Sequence, residues 1–397
     1  MNEAVRALFP GTREQVYLDV SARGLLPDPV RAAVDAHLDV RMSRGGEKDE
    51  LWALVDGARR GFANLVGAQV EEVAVTKNVS EGLNLFAESL PWQAGDNVVV
   101  CPGLEHPNNI YLWYNLRQRI GIEVRTVDPV DGRLPVAAVA AAVDERTRLV
   151  TIPSISFAPG FITDVAGVAE VARDAGALTL VDAAQSIGAL ATDVHALGVD
   201  ALAVASQKCL FSVYGTGFLY IRRSVADTLV PAHVARYGID MGGAHETAFS
   251  DEGELTFKPG ALRFDVGNYN YLGAAAVGAA FALIESLGME RIEDHVRGLA
   301  RRLATGFLEL GLPVVGGAPG ADLGHIVSVG SSGGGRHYSA DDPRMNELRD
   351  HLLADGVLHS IRSGVLRFST ALYNNDADID QTLESASRWV RDTGYTS

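Results

Sequence analysis

The chain has 397 residues and 47% hydrophobic content, more than one ordinary domain needs and enough for two packed cores. It carries 50 acidic against 34 basic residues, a formal charge of −16, and no basic tract, so nucleic acid and anionic membranes would be repelled and a small molecule is the expected partner. The two cysteines, Cys101 and Cys209, have neither metal nor disulfide spacing, and the start M-N-E-A-V-R-A-L-F-P lacks an apolar signal core; both features suggest a reducing cytoplasm and no metal site.

Along the chain, short Val/Ile/Leu runs alternate with amphipathic stretches, which is the pattern of βαβ units and an α/β fold with a mostly parallel, doubly covered sheet. Seven strands are expected, at 73–76, 97–101, 123–127, 149–153, 178–182, 201–205 and 217–221. Helices are expected at 80–90 and at 164–175, the second stopped by Gly176. The pattern changes around 260–270. The Ala/Gly-rich stretch 272–287 then reads as a helix packed closely on another backbone, its apolar run being too short to span a bilayer. The remainder reads as a smaller α+β unit, with S-S-G-G-G-R (331–336) as a flexible loop and Asp342-Pro343 as a helix start. These divisions give an N-terminal arm over 1–20, a large domain over 21–265 and a small C-terminal domain over 266–397. No internal repeat or low-complexity linker interrupts them.

Chemistry concentrates at two strand ends. Asp182 closes one buried strand in V-D-A-A-Q, and Lys208 lies just past another in D-A-L-A-V-A-S-Q-K. These are the two groups that pyridoxal 5′-phosphate (PLP) requires: an amine to condense with its aldehyde, and a carboxylate to keep the pyridine nitrogen protonated so that the ring accepts electrons. Gln185 follows one turn after Asp182, within reach of the ring's 3′-oxygen, and the glycines of Y-G-T-G-F-L-Y-I-R (214–222) permit a tight turn into the next strand. The cofactor phosphate is expected at a helix N-terminus, where unpaired N–H groups and the helix dipole favour an anion. V-S-E-G supplies one, with the backbone N–H groups of Val79 and Ser80 and the Ser80 hydroxyl, although serine also caps ordinary helices. His106 follows the strand at 97–101, at the carboxyl end of the sheet where open α/β folds bind ligands.

Taken in order, Y-L-D-V-S-A-R-G-L-L-P (17–27), V-S-E-G-L-N (79–84), C-P-G-L-E-H-P-N-N-I (101–110), R-F-D-V-G-N-Y-N-Y (263–271) and L-R-F-S-T-A-L-Y-N (366–374) resemble the class V aminotransferase family over nearly the whole chain. These are fold-type I PLP enzymes and include cysteine desulfurases, kynureninase, isopenicillin N epimerase and C–S lyases. The resemblance implies a homodimer with both active sites at its interface, an amino-acid substrate, and a His106 ring stacked on the cofactor. It also implies that Arg367 is the fork for the substrate carboxylate, with Arg362 as the second candidate. Asn268 stands where related dimers send a threonine to the partner's phosphate. Ser206 and Gln207 precede the lysine where many relatives have histidine or tyrosine, and Gln207 can donate a hydrogen bond but cannot titrate. Phe157 lies where desulfurases commonly place asparagine, which makes the wall more apolar.

Cofactor residues identify the reaction poorly, because PLP makes any bond at the α-carbon labile. A desulfurase resembling this chain needs a thiolate on a mobile loop before the carboxylate-binding arginine. Here I-R-S-G-V-L-R (361–367) joins the two arginines without a cysteine. The resulting expectation is a C–S β-lyase acting on a cysteine S-conjugate in specialised metabolism, such as antibiotic tailoring. A class V aminotransferase, an epimerase and a decarboxylative or oxidative deaminase are alternatives, with a cysteine desulfurase behind them.

Overall fold

The structure, a computed structural model, describes residues 1, 3–243, 255–336 and 338–395. A short strand β1 (Val16–Tyr17) precedes the seven strands of the main sheet: β2 (Val73–Thr76), β3 (Asn97–Val100), β4 (Glu123–Thr126), β5 (Thr147–Pro153), β6 (Leu178–Asp182), β7 (Ala201–Ala205) and β8 (Gly217–Ile221). Their spatial order is β2-β8-β7-β6-β5-β3-β4; the run from β7 to β4 is parallel, and β8 is antiparallel to both its neighbours. All seven stand where the apolar runs put them, with small shifts at strand ends. Residues of β3, β6, β7 and β8 are buried almost throughout, as a sheet covered on both faces requires.

Capping chemistry sets the helices that flank the site. Asn78 caps the helix Val79–Glu88 by accepting from Glu81 N (2.9 Å), which makes Ser80 an interior first-turn residue and not the cap. Asp164 caps Val165–Asp174 in the same way through Gly167 N (2.9 Å), and Gly176 takes φ 75° just past its end. Helix Pro343–Ala354 starts at Asp342-Pro343 as expected.

A second sheet, β13-β14-β9, is built antiparallel from β9 (Ile326–Val329), β13 (Ser360–Arg362) and β14 (Val365–Ser369). Part of the expected 331–336 loop is ordered: β10 (Gly335–Arg336) pairs antiparallel with β11 (Ser339–Ala340). The N-terminal segment crosses to this unit, where β1 pairs in parallel with β12 (Val357–Leu358) and Asp19 bridges to Ser369.

Core membership bears on where the units divide. Helix Tyr271–Leu287 contributes Ala274, Val277, Phe281 and Ile284 to the same apolar core as Val73, Val181 and Phe218 of the main sheet. Gly61 of helix Lys48–Val66 makes this possible, since a β-carbon there would lie 2.6 Å from the Phe281 ring. A separate core joins Leu299, Leu303 and Phe307 to Leu366 and Phe368. We therefore propose that the units divide within helix Met289–Glu309, beyond the expected 265/266 boundary. Among the described residues no single helix is long and apolar enough to cross a membrane.

Candidate active site

The carboxyl ends of the parallel strands meet at one cavity. β6 ends on Asp182, β5 on Pro153, and Lys208 comes three residues after β7, so neighbouring strands deliver an acid and an amine to the same side of the sheet. Val79, His106, Gln185 and Gln207 join Asp182 and Lys208 in lining it. Of the eleven residues expected in the site, these six converge directly.

Asp182 is 6% exposed, and its Oδ1 accepts from Ala184 N (2.9 Å). Burial raises its pKa, while the positive charge of Lys208 and the Ala184 hydrogen bond pull it back. Burial lowers the pKa of half-buried Lys208, Asp182 opposes that shift, and Arg367 and Arg362 reinforce it. The lysine is also held through its backbone. Gly24 N donates to Gln207 O (2.8 Å), and a β-carbon on Gly24 would lie 2.3 Å from Lys208 O, so only glycine allows this approach.

Val79 and Ser80 occupy the first turn of their helix, where backbone N–H groups have no intrahelical acceptor. The half-buried His106 ring lies edge-on to Phe157, with centroids 5.7 Å apart, and its Nδ1 accepts from Asn108 N (3.2 Å). Phe157 lines the cavity as the apolar wall expected from its position. Gln185 donates to Ser21 O (3.2 Å), keeping a second amide hydrogen, while its Oε1 is buried without a partner. Below it, the enclosed His325 places Nε2 2.8 Å from Gln185 O and Nδ1 3.2 Å from Thr370 O. Burial pushes this imidazole down to about 4, so it is neutral and bridges the two units without carrying charge.

The other five expected residues lie elsewhere. Ser80 sits one residue along the helix from the cavity-lining Val79. Ser206 does not line this cavity: it is fully buried, and its one hydroxyl proton is shared between the carbonyls of Val213 (2.9 Å) and Thr216 (2.8 Å), closing the turn after β7. Asn268 lines a different cavity with Lys77, Thr216 and Asn270, and accepts from the Tyr237 hydroxyl. Its segment is clipped to β2 by the buried pair Arg59–Asp265 (2.8 Å), with Val75 N (2.9 Å) and the Tyr269 hydroxyl (2.6 Å) also on Asp265.

Arg367 and Arg362 share one face of the small sheet, because Ser360 pairs with Arg367 and Arg362 with Val365. They are not equivalent. Arg367 is enclosed, donates to Phe157 O (2.9 Å), lies 3.5 Å from Asp19 Oδ1, and keeps a buried Nε without a partner; burial lowers its pKa to about 10. Arg362 is half-buried, with its guanidinium 5.2 Å from the Tyr338 ring centroid. The chain between them turns on Ser363 (φ 49°) and Gly364 (φ 84°), a two-residue hairpin with both centres left-handed.

Glu105, which the sequence reading passed over, is part of the cavity wall. Its Oε1 accepts from Asn109 Nδ2 (2.8 Å), and its Oε2 is buried without a partner. Burial first, and the nearby Asp182 charge second, raise its pKa well above the ordinary carboxylate value, which favours the protonated form. The signal was present in the sequence, since Glu105 adjoins His106 in the quoted motif.

The donor set fits PLP. An amine and a carboxylate share the cavity with a helix N-terminus, and two of its lining residues, Glu105 and Gln185, hold buried oxygens that no protein group satisfies.

Comparison with known proteins agrees with this chemistry. The profile of the family described as aminotransferase class-V matches residues 16–382. A probable cysteine desulfurase of Methanothermobacter thermautotrophicus is 36% identical over 299 residues, covering 74% of this chain and 72% of its own. The apo structure of a cysteine desulfurase from Thermococcus onnurineus NA1 superposes with a TM-score of 0.85 at 27% identity, covering 99% of this chain and 98% of the other. The cystine C–S lyase C-DES, in complex with its product cysteine persulfide, shares the fold with a TM-score of 0.83 at 22% identity, covering 96% and 99% of the two chains.

Proposed function

The chain belongs to the aminotransferase class-V family, whose members use pyridoxal 5′-phosphate, and on that premise we propose that it is a C–S β-lyase acting on a cysteine S-conjugate. The observation that carries this reading is the Ser363–Gly364 hairpin. Where a desulfurase needs a loop long enough to bring a thiolate over the substrate, the two arginine-bearing strands here are joined by two residues. Both cysteines are buried outside that turn, and desolvation pushes the thiols up, Cys101 to about 11 and Cys209 to about 12. A thiol protonated at neutral pH is a poor nucleophile.

The relatives described as cysteine desulfurases and the C–S lyase fold neighbour share cleavage of a carbon–sulfur bond, which supports that part of the reading. Under it, Lys208 would hold the cofactor aldehyde, Asp182 would keep the pyridine nitrogen protonated, Val79 and Ser80 would offer N–H groups to the phosphate, and Arg367 would receive the substrate carboxylate. The cofactor supplies an electron sink when bound. Lys208, freed when the substrate amine takes its place on the aldehyde and made less basic by burial, would take the α-proton and deliver it to the departing sulfur. The C–S bond breaks, and the aminoacrylate left behind takes up water to give pyruvate and ammonia. His106 and Phe157 cover the reacting face and exclude water. A homodimer in which Asn268 reaches the partner's phosphate belongs to the same proposal.

The test is product analysis by mass spectrometry after incubating holoenzyme with cysteine S-conjugates and with free cysteine. Pyruvate and free thiol from the conjugates support the lyase. Alanine and persulfide from cysteine would instead establish a desulfurase, and a new amino acid appearing only with a keto-acid co-substrate would establish an aminotransferase.

A further inference from the structure

We propose that a cleft beside the cofactor cavity receives the sulfur substituent of the substrate, and that it favours cysteine conjugates whose substituent is bulky, uncharged and rich in hydrogen-bonding groups. The assignment rests on the lyase reading above and names its substrate class.

Two spaces meet at Leu104. The cavity that holds Lys208 measures about 160 Å³, less than the roughly 300–1,000 Å³ of a typical small-molecule site, whereas the adjoining cleft measures about 630 Å³. Leu104 lines both. The segment carrying Phe157 and Pro159 forms a second shared boundary, since Phe157 faces the inner cavity and Pro159 the cleft. Phe157 O also holds Arg367 (2.9 Å). An amino acid anchored at Arg367 with its α-carbon at Lys208 therefore has the larger space on the other side of the Leu104 side chain, and under this assignment its substituent passes that side chain to reach it. Ser332 closes the outer side, and its loop is tied to the short hairpin by Gly333 N donating to Ser363 O (3.0 Å).

The lining sets the chemical class. Arg133 is already answered: its Nε lies 2.5 Å from Asp322 Oδ2, and its guanidinium lies 3.9 Å from the Phe161 ring centroid. It is not a free cation waiting for an anion. Asp131 is exposed and acidic, so an anionic substituent meets repulsion, while its attraction for a cation is screened by solvent. Ser332, Arg133 and the glycines Gly103, Gly132 and Gly316 bring polar groups to a lining that Leu104, Pro129, Pro159 and Val315 make partly apolar, and Arg133 Nη1 already donates to Asp131 O (3.1 Å), which leaves its Nη2 as the uncommitted donor group. Such groups match hydroxyl-bearing substituents better than hydrocarbon ones.

The experiment uses holoenzyme and three probes: S-methyl-L-cysteine, S-(β-D-glucopyranosyl)-L-cysteine and S-carboxymethyl-L-cysteine. Binding is read from the change in cofactor absorbance, and cleavage from pyruvate release. The glucosyl conjugate should bind about tenfold or more tightly than the methyl one, and the carboxymethyl one should show no such gain. Ser332→Trp, at an exposed position that tolerates bulk, should erase most of that preference; Arg133→Met, which keeps the stacking on Phe161, should reduce it as well. Equal affinities in the wild type, a Ser332→Trp effect that is the same for methyl and glucosyl probes, or tightest binding by the carboxymethyl probe would each overturn the assignment. The two readings fail separately. If the binding preference is present but no probe yields pyruvate, the cleft stands and the lyase falls; if S-methyl-L-cysteine is cleaved without any preference, the lyase stands and the cleft falls.

Discussion

Asp182 closes one strand and Lys208 lies three residues past its parallel neighbour, and each opposes what burial does to the other: burial raises the pKa of the acid and lowers that of the amine, and the opposite charge of each counters the other's shift. Lys208→Ala should abolish both turnover and covalent cofactor attachment. Asp182→Asn should keep PLP while losing about 10²-fold or more of kcat, since an amide cannot hold the pyridine nitrogen protonated. Cofactor content by absorbance, set beside steady-state rates, checks both. An Asp182→Asn enzyme with an unchanged rate would remove the electron-sink role.

Arg367 and Arg362 separate by how completely each is enclosed. Arg367→Lys keeps the charge but loses the two-pronged fit, so substrate affinity should fall by about 1.5–3 kcal/mol with PLP content unchanged. Arg362→Lys should have a smaller effect. Titrating substrate against the cofactor spectrum of each variant decides between them, and the roles exchange if only the Arg362 variant weakens binding.

Removing both thiols distinguishes lyase from desulfurase. A Cys101→Ser, Cys209→Ser double variant should retain its rate on cysteine conjugates, with a modest drop in stability from placing hydroxyls at two buried positions. Complete loss of turnover with PLP still bound would bring back persulfide chemistry.

Glu105 carries a pH signature. Its folded pKa is raised above the ordinary 4.5, so the stability it contributes is fully present below 4.5 and is lost as pH rises through the higher folded value. Glu105→Gln keeps the size and the hydrogen-bonding capacity of the side chain and removes the titration. Urea unfolding of the two proteins should therefore show the variant gaining on the wild type with each step upward from pH 4.5, and a constant difference across that range would mean that Glu105 is ionised in the fold.

The buried Arg59–Asp265 pair should be a stability hot spot. Asp265→Asn leaves the Arg59 guanidinium without its counter-charge, at a cost of about 3–5 kcal/mol measurable by denaturant unfolding.

The main sheet was legible because its strands, apart from the partly exposed edge strand β4, are buried apolar runs, and Asp182 and Lys208 were legible because a charged group beside such a run needs a partner. Other residues could not be read in the same way. Ser206 looked like a ligand because it neighbours the lysine, yet a turn consumed its hydroxyl. Glu105 is a carboxylate whose raised pKa comes from burial and from Asp182, a residue distant in the chain, and local sequence carries no record of that. The placement of helix Tyr271–Leu287 depended on Gly61, which only makes sense once Phe281 is seen against it.

The contacts of residues 16–24 bear on the order in which the protein is made. Leu18 N donates to Leu358 O (2.8 Å), Ser21 N to Ser369 Oγ (2.9 Å), and Gly24 then settles on the Lys208 backbone. The segment that steadies the lysine therefore leaves the ribosome about 340 residues before the partners it docks on. During synthesis the main sheet can assemble while this wall of the site is still loose, so the finished pocket arises in one late step, when residues near 357–369 emerge and capture a segment made long before them.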